Sequence, residues 1–91
     1  MHSAFEAIIS GRVQGVLFRD FAAQHARMFG VVGEAENMAD ETLRIHAEGE
    51  REKLDAFLLM LKEGPPSAHV DEVTVSWLQP TGIFDRFSIR Y

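Results

Sequence analysis

An α+β sandwich, with two helices on one face of a mainly antiparallel sheet, is the fold class this sequence predicts. Three observations carry it. Apolar and polar residues alternate in five separate stretches, the period of half-buried strands. Two other stretches place apolar residues every three to four positions, the period of an amphipathic helix. The order along the chain is β-α-β-β-α-β followed by one more strand.

Ala4 to Ser10 is the first strand: Phe5, Ala7 and Ile9 lie on one side, Glu6 and Ser10 on the other, with Ile8 an apolar exception. Gly11 to Val16 is a loop. Leu17 to Phe29 turns helical, with Phe18, Phe21, Ala22, Ala26 and Phe29 on one stripe and Gly30 as the residue that ends it. Val31 to Met38 reads as the second strand. A turn at Ala39-Asp40-Glu41 makes a hairpin with the third, Thr42 to Glu48. There Leu43, Ile45 and Ala47 face the core, while Thr42, Arg44, His46 and Glu48 face a solvated side. Glu50 to Lys62 is the second helix, striped by Leu54, Phe57, Leu58 and Leu61 and stopped by Gly64-Pro65-Pro66. Val70 to Leu78 is the fourth strand, with Trp77 assigned to the core. After a turn at Gln79 to Ile83, Phe84 to Tyr91 closes the chain as the fifth. Alternation on one side means that one sheet face is covered and the other wetter. Two amphipathic helices supply the cover, giving a ferredoxin-like sandwich with an extra C-terminal strand.

Composition narrows the function classes. The chain of 91 residues is read as one domain, residues 1–91, and 46% hydrophobic residues support a core. It contains no cysteine, which removes disulfides, thiolate catalysis and Cys-based zinc sites and fits a cytoplasmic setting. The four histidines show no metal-ligand spacing. His25 reads as a half-buried helix residue and His46 as a solvated sheet position. No apolar run approaches a membrane span, and no signal peptide is expected. A net charge of −5 argues against general nucleic-acid binding, which needs a basic stripe. The open face of the third strand offers Thr42, Arg44 and His46 rather than the aromatics of an RNA-recognition sheet.

An acidic chain still binds an anion locally where donors converge. The stretch Gly11 to Arg19 has glycines that let a backbone curl, and it ends where a helix begins. First-turn N–H groups lack intrahelical partners, and the helix dipole adds positive potential there. Arg19 can lay its planar fork across two phosphate oxygens. The plain alternatives are a turn built of glycines and a solvated arginine.

Gly11-Arg12-Val13-Gln14-Gly15-Val16-Leu17-Phe18-Arg19 resembles the G-R-V-Q-G-V-x-F-R loop of acylphosphatases. Phe29-Gly30-Val31-Val32-Gly33 with Asn37 is similar to that family's L-G-L-x-G-W-V-x-N stretch. Gly64-Pro65-Pro66-Ser67-Ala68 with Val70 and Val73 resembles G-P-P-x-A-x-V-x-x-V, and Phe87-Ser88-Ile89-Arg90-Tyr91 resembles F-x-I-x-Y. The resemblance implies hydrolysis of an acyl phosphate to a carboxylate and inorganic phosphate, with no metal or organic cofactor. It implies that Arg19 and the backbone N–H groups of Gln14, Gly15, Val16, Leu17 and Phe18 hold the phosphate. It also implies that Asn37 orients the attacking water. A small-molecule partner and a monomer are expected.

Three departures from the pattern stand out. Glu34-Ala35 replace the usual Trp-Val, Glu41 the glycine after Asp40, and Leu17 a frequent glycine. The acidic group Glu34, Glu36, Asp40 and Glu41 is expected to weaken phosphate binding, and Glu41 to disturb the aim of Asn37. The competing function is an anion-binding regulatory module that keeps the loop without efficient turnover.

Overall fold

Each alternating stretch becomes a strand and each apolar stripe a helix. The computed structural model describes residues 1–91. Its elements are β1 (His2–Arg12), α1 (Phe18–Phe29), β2 (Val32–Asn37), β3 (Leu43–Glu50), α2 (Arg51–Glu63), β4 (His69–Leu78) and β5 (Phe87–Arg90). The strands form one sheet in the order β4-β1-β3-β2-β5. All neighbours are antiparallel except β2 and β5, which run parallel. This is the ferredoxin-like sandwich with a fifth strand added at the β2 edge. No helix is long and apolar enough to cross a membrane.

The core lies between the helices and the inward side of the sheet. Phe5, Ile9, Leu43 and Ile45 meet Leu54, Phe57 and Leu61 of α2 and Phe18 and Ala22 of α1, all buried. Phe57 stands between Phe5 and Phe87, with ring centroids 6.3 Å and 5.8 Å away. Burying each such side chain contributes about 1.5–3 kcal/mol through the apolar surface removed from water.

Helix α1 ends at Gly30, whose left-handed backbone lets its N–H reach back to the last turn. Gly64, after α2, has φ +73° and packs so close to Phe18 that an added Cβ would sit 3.0 Å from its ring. The Gly-Pro-Pro stretch therefore ends a helix and also seats the buried ring at the start of α1.

Three expectations are corrected. The fifth strand is shorter than Phe84 to Tyr91, because residues 79–86 form an irregular crossing from the β4 edge to the β5 edge. Trp77 is not core. It sits on the edge strand β4, 40% exposed, with its ring edge-on to Phe5 and the Arg51 guanidinium 3.7 Å from its centroid.

The third correction concerns His46, which is buried together with Glu48. The crossing covers them, with Phe84 packing on the His46 ring at 5.1 Å. Glu48 accepts from His46 Nε2 at 2.6 Å, from the Thr81 hydroxyl at 2.7 Å, and from the N–H groups of Thr81 and Gly82, each at 3.0 Å. One carboxylate thus staples the crossing to the centre of the sheet. Strand alternation shows only which side a residue faces, not whether a distant segment covers that side.

Burial by itself would raise the Glu48 pKa from its ordinary 4.5, but the donors from His46, Thr81 and Gly82 outweigh it and hold it at about 2. A depressed folded-state pKa contributes stability that is complete above the unfolded value and is lost as pH falls through the folded one. The urea midpoint is therefore expected to fall on acidification from about pH 5 to about pH 2. Glu48→Gln should lower that midpoint at neutral pH and flatten its dependence across this window. Equal slopes in parent and variant would refute the assignment.

Candidate active site

The loop after β1 is launched by a bulge. Pairing between β1 and β4 shifts register between Ser10 and Gly11. At Gly11 φ is +121°, and a Cβ would lie 2.1 Å from the His69 carbonyl oxygen, so only glycine fits. Residues 13–17 then curl back toward α1. Gly15 has φ +71°, and Leu17 also adopts the left-handed conformation, with φ 63° and ψ 24°. Leu17 was expected inside the helix. Instead it is the N-cap, and it provides no side-chain acceptor.

That substitution of a cap by a leucine has a consequence for the backbone. N-cap positions ordinarily carry Ser, Thr, Asp or Asn, whose oxygen takes up a first-turn N–H. Here the first helical bond runs from Phe21 N–H to the Leu17 carbonyl, at 3.0 Å. No N–H from Gln14 to Asp20 donates to any acceptor in the protein. These consecutive donors stand at the positive end of α1. Ser67 braces them from behind, its hydroxyl donating to the Val16 carbonyl at 2.9 Å.

Leu17 is 73% exposed, so nothing buried compensates its backbone. A left-handed conformation costs a side-chain-bearing residue about 1–2 kcal/mol. Leu17→Gly is expected to raise unfolding free energy by about 1 kcal/mol, less if the added freedom of the unfolded chain offsets it. Urea denaturation measures this, and a lowered midpoint would contradict it.

The loop, the start of α1 and the end of β2 enclose a cavity of about 170 Å³, lined by Val13, Gly15, Leu17, Phe18, Arg19, Asp20 and Asn37. Arg19 and Asn37, eighteen positions apart in the chain, thus line one cavity. Arg19 Nη1 donates to the Arg90 carbonyl at 3.1 Å, and its guanidinium carbon lies 4.8 Å from the Tyr91 ring centroid. The C-terminal strand therefore orients this arginine and leaves its other donors without a protein acceptor. Asn37 sits at the last residue of β2, on the inward side with Gly33 and Ala35. Its Oδ1 is buried and has no hydrogen-bond partner in the protein.

The acidic residues expected to oppose an anion lie elsewhere. Glu34 and Glu36 are on the open face, where both pair with the Arg44 guanidinium. Arg90 approaches Glu34 at 3.5 Å, and Glu6 approaches Arg44 at 3.5 Å. Asp40 and Glu41 are exposed at the hairpin tip, and neither lines the cavity. Glu41 takes the left-handed conformation a glycine would otherwise take, with φ 72°. The tip closes all the same: Met38 N–H donates to the Thr42 carbonyl at 2.8 Å, and the Asp40 carboxylate accepts from the Thr42 hydroxyl at 2.6 Å. Hydrogen bonds from Thr42 hold the Asp40 carboxyl below its ordinary range. Asn37 keeps its register opposite Leu43.

Sequence reasoning missed Asp20, an exposed acid on the cavity wall. Its place beside Arg19 in the first helical turn was the available signal. An acid there suits the helix dipole, while solvent and salt screen its repulsion of a bound anion. His25, half-buried as expected, stands 2.9 Å from the Phe21 carbonyl through Nδ1 and takes no part in the cavity. Nowhere do three His, Asp or Glu side chains converge as metal ligands would.

Comparison with known proteins points to one family. A family model described as acylphosphatase matches residues 5–89. An acylphosphatase from Dehalococcoides mccartyi is 42% identical over 92 residues, covering all of both chains. The crystal structure of an acylphosphatase from Bacillus subtilis superposes with a TM-score of 0.94 at 34% identity, again covering both chains completely. A structure of full-length HypF, in a phosphate- and nucleotide-bound form, superposes with a TM-score of 0.92 at 33% identity, this chain covering 12% of it.

Proposed function

The chain belongs to the acylphosphatase family of hydrolases, and from that premise we propose how its own residues carry the family's reaction. The substrate is an acyl phosphate, and the products are a carboxylate and inorganic phosphate. The phosphate seats on the backbone N–H groups of Gln14, Gly15, Val16, Leu17 and Phe18, with the Arg19 fork across two of its oxygens. Asn37 holds a water by hydrogen bonds to its carboxamide, leaving a lone pair of the water oxygen toward phosphorus. The observation that supports this most is convergence. Gly15, Leu17 and Phe18 from a run of uncommitted N–H groups, a guanidinium with free donors and a carboxamide without a protein partner line one cavity, while Gln14 and Val16 stand just outside its lining.

The chemistry asks little else of the protein. Phosphoryl transfer depends mainly on positioning and on stabilising charge. As water oxygen bonds to phosphorus, the bond from phosphorus to the acyl oxygen breaks, and its electron pair leaves with the carboxylate. Carboxylic acids ionise near pH 4, so this leaving group departs without a general acid. The water's proton passes to a phosphate oxygen. A neutral amide aims the water without setting a negative charge beside an anionic substrate. Arg19 contributes to rate by binding the equatorial oxygens more tightly as charge redistributes in the transition state.

Loss of benzoyl phosphate, followed with parent, Arg19→Ala and Asn37→Ala proteins, tests the reading. Parent turnover well above buffer, flat between about pH 6 and 8, is the expected result. A strong inflection near pH 6 would instead implicate a histidine base. The alternative is an anion-binding module with little turnover. It predicts that inorganic phosphate binds while benzoyl phosphate decays at the buffer rate. A monomer in the cytoplasm completes the proposal, supported by the absence of cysteine and checked by gel filtration and fractionation.

A further inference from the structure

We infer that the Gln14 side chain is a positioning residue that ties the phosphate loop to Asn37. The inference rests on the proposed role of Asn37. Beside the backbone N–H that the proposed phosphate seat uses, Gln14 has a carboxamide with a separate set of contacts. Nε2 donates to the Met38 carbonyl at 2.9 Å and to the Thr42 carbonyl at 3.0 Å. Both partners are acceptors only, so the nitrogen must face them. Met38 is the residue after Asn37, and Met38 and Thr42 are the two ends of the hairpin tip, joined by their own bond at 2.8 Å.

One side chain from the loop therefore grips both sides of the hairpin where β2 ends. The grip matters because little else holds Asn37. Its Oδ1 has no partner in the protein, and its position follows from the backbone of residues 37 and 38. The tip beyond is exposed and carries Glu41 in a left-handed conformation. Without the two Gln14 bonds, β2 would remain paired to β3, but the distance between bound phosphate and held water would no longer be set. In-line attack is sensitive to that distance: a displacement of about 1 Å costs on the order of 100-fold in rate.

The test separates aim from binding. Gln14→Met keeps length and packing, removes both donors and retains the backbone N–H. With benzoyl phosphate, kcat is expected to fall about 10- to 100-fold, while the inhibition constant for inorganic phosphate changes less than about twofold. Because Asn37 carries the effect, adding Gln14→Met to Asn37→Ala should slow that variant less than about twofold further. Independent losses that multiply, or phosphate binding that weakens in step with kcat, would overturn the inference. So would an unchanged kcat. Gln14→Ala, with folding checked by urea midpoint, repeats the comparison should the methionine pack badly.

A second readout needs no turnover. Nitrogen-15 spectra during titration with inorganic phosphate should show the Asn37 side-chain amide responding together with the loop amides in the parent. In Gln14→Met the loop amides should respond and the Asn37 amide should not. Equal Asn37 responses in both proteins would refute the link. A parent that shows this coupling but does not hydrolyse benzoyl phosphate would remove the catalytic reading and leave the Gln14 link standing.

Discussion

Arg19→Ala is expected to lower kcat/KM for benzoyl phosphate by about 10³-fold or more and to abolish measurable inhibition by inorganic phosphate. The size follows from what the guanidinium does in the proposed site. It is the one cation lining the cavity, and a phosphoryl group in transfer carries charge over three equatorial oxygens. Backbone N–H groups meet some of that charge, but they sit on one side of it. Arg19 is also pre-positioned: its bond to the Arg90 carbonyl and its contact with the Tyr91 ring are made by the protein alone. Less side-chain entropy is therefore lost when phosphate arrives. Arg19→Lys keeps a charge without the planar fork and should recover only part of the loss. Folding should change little, because the single hydrogen bond removed is exposed. An Arg19→Ala protein that still binds phosphate would sink the assigned role.

Asn37→Ala is expected to lower kcat about 10²- to 10³-fold, with KM and phosphate inhibition nearly unchanged. A group that orients water touches the reaction late, whereas the loop and Arg19 hold the substrate throughout. The stability change is the more diagnostic part. A buried acceptor that no protein donor reaches adds no hydrogen bond to the fold, and Asn37 Oδ1 is such an acceptor. Removing it should leave urea stability equal to the parent's or higher, a pattern in which function and stability oppose each other. Asn37→Asp should behave differently, raising KM as well, because it faces the phosphate with a negative charge. An Asn37→Ala protein that is less stable and fully active would show that the residue merely shapes the hairpin.

Much of the molecule was legible in the residues. The strand periods placed Phe5, Ile45 and Phe87 in the core, and the helical stripes placed Phe18, Ala22, Leu54 and Phe57 there. Along β2, strand alternation puts Asn37 on one face and Glu34 and Glu36 on the other, where they pair with Arg44. Errors arose where distant segments meet. His46 and Glu48 read as solvated because their own strand offered no sign of the crossing by residues 79–86. Trp77 read as core because alternation does not reveal that β4 is an edge. Leu17 read as helical because a local pattern contains no φ angle.

The resemblance to a known family singled out Arg19 and Asn37 as candidates; the sequence by itself determined the order of elements, the covered side of the sheet and the anion-ready loop. These follow from short-range chemistry: side-chain period, glycine freedom, helix-end donors and a contiguous motif. Only the tertiary structure decided that Arg19 is steered by the Arg90 carbonyl 71 positions away, that Gln14 spans the hairpin mouth, and that Glu48 is sealed beneath the last crossing. Each of these depends on which strands become neighbours. Sheet order is set by burying every apolar face at once, a property of the whole chain that no local window contains.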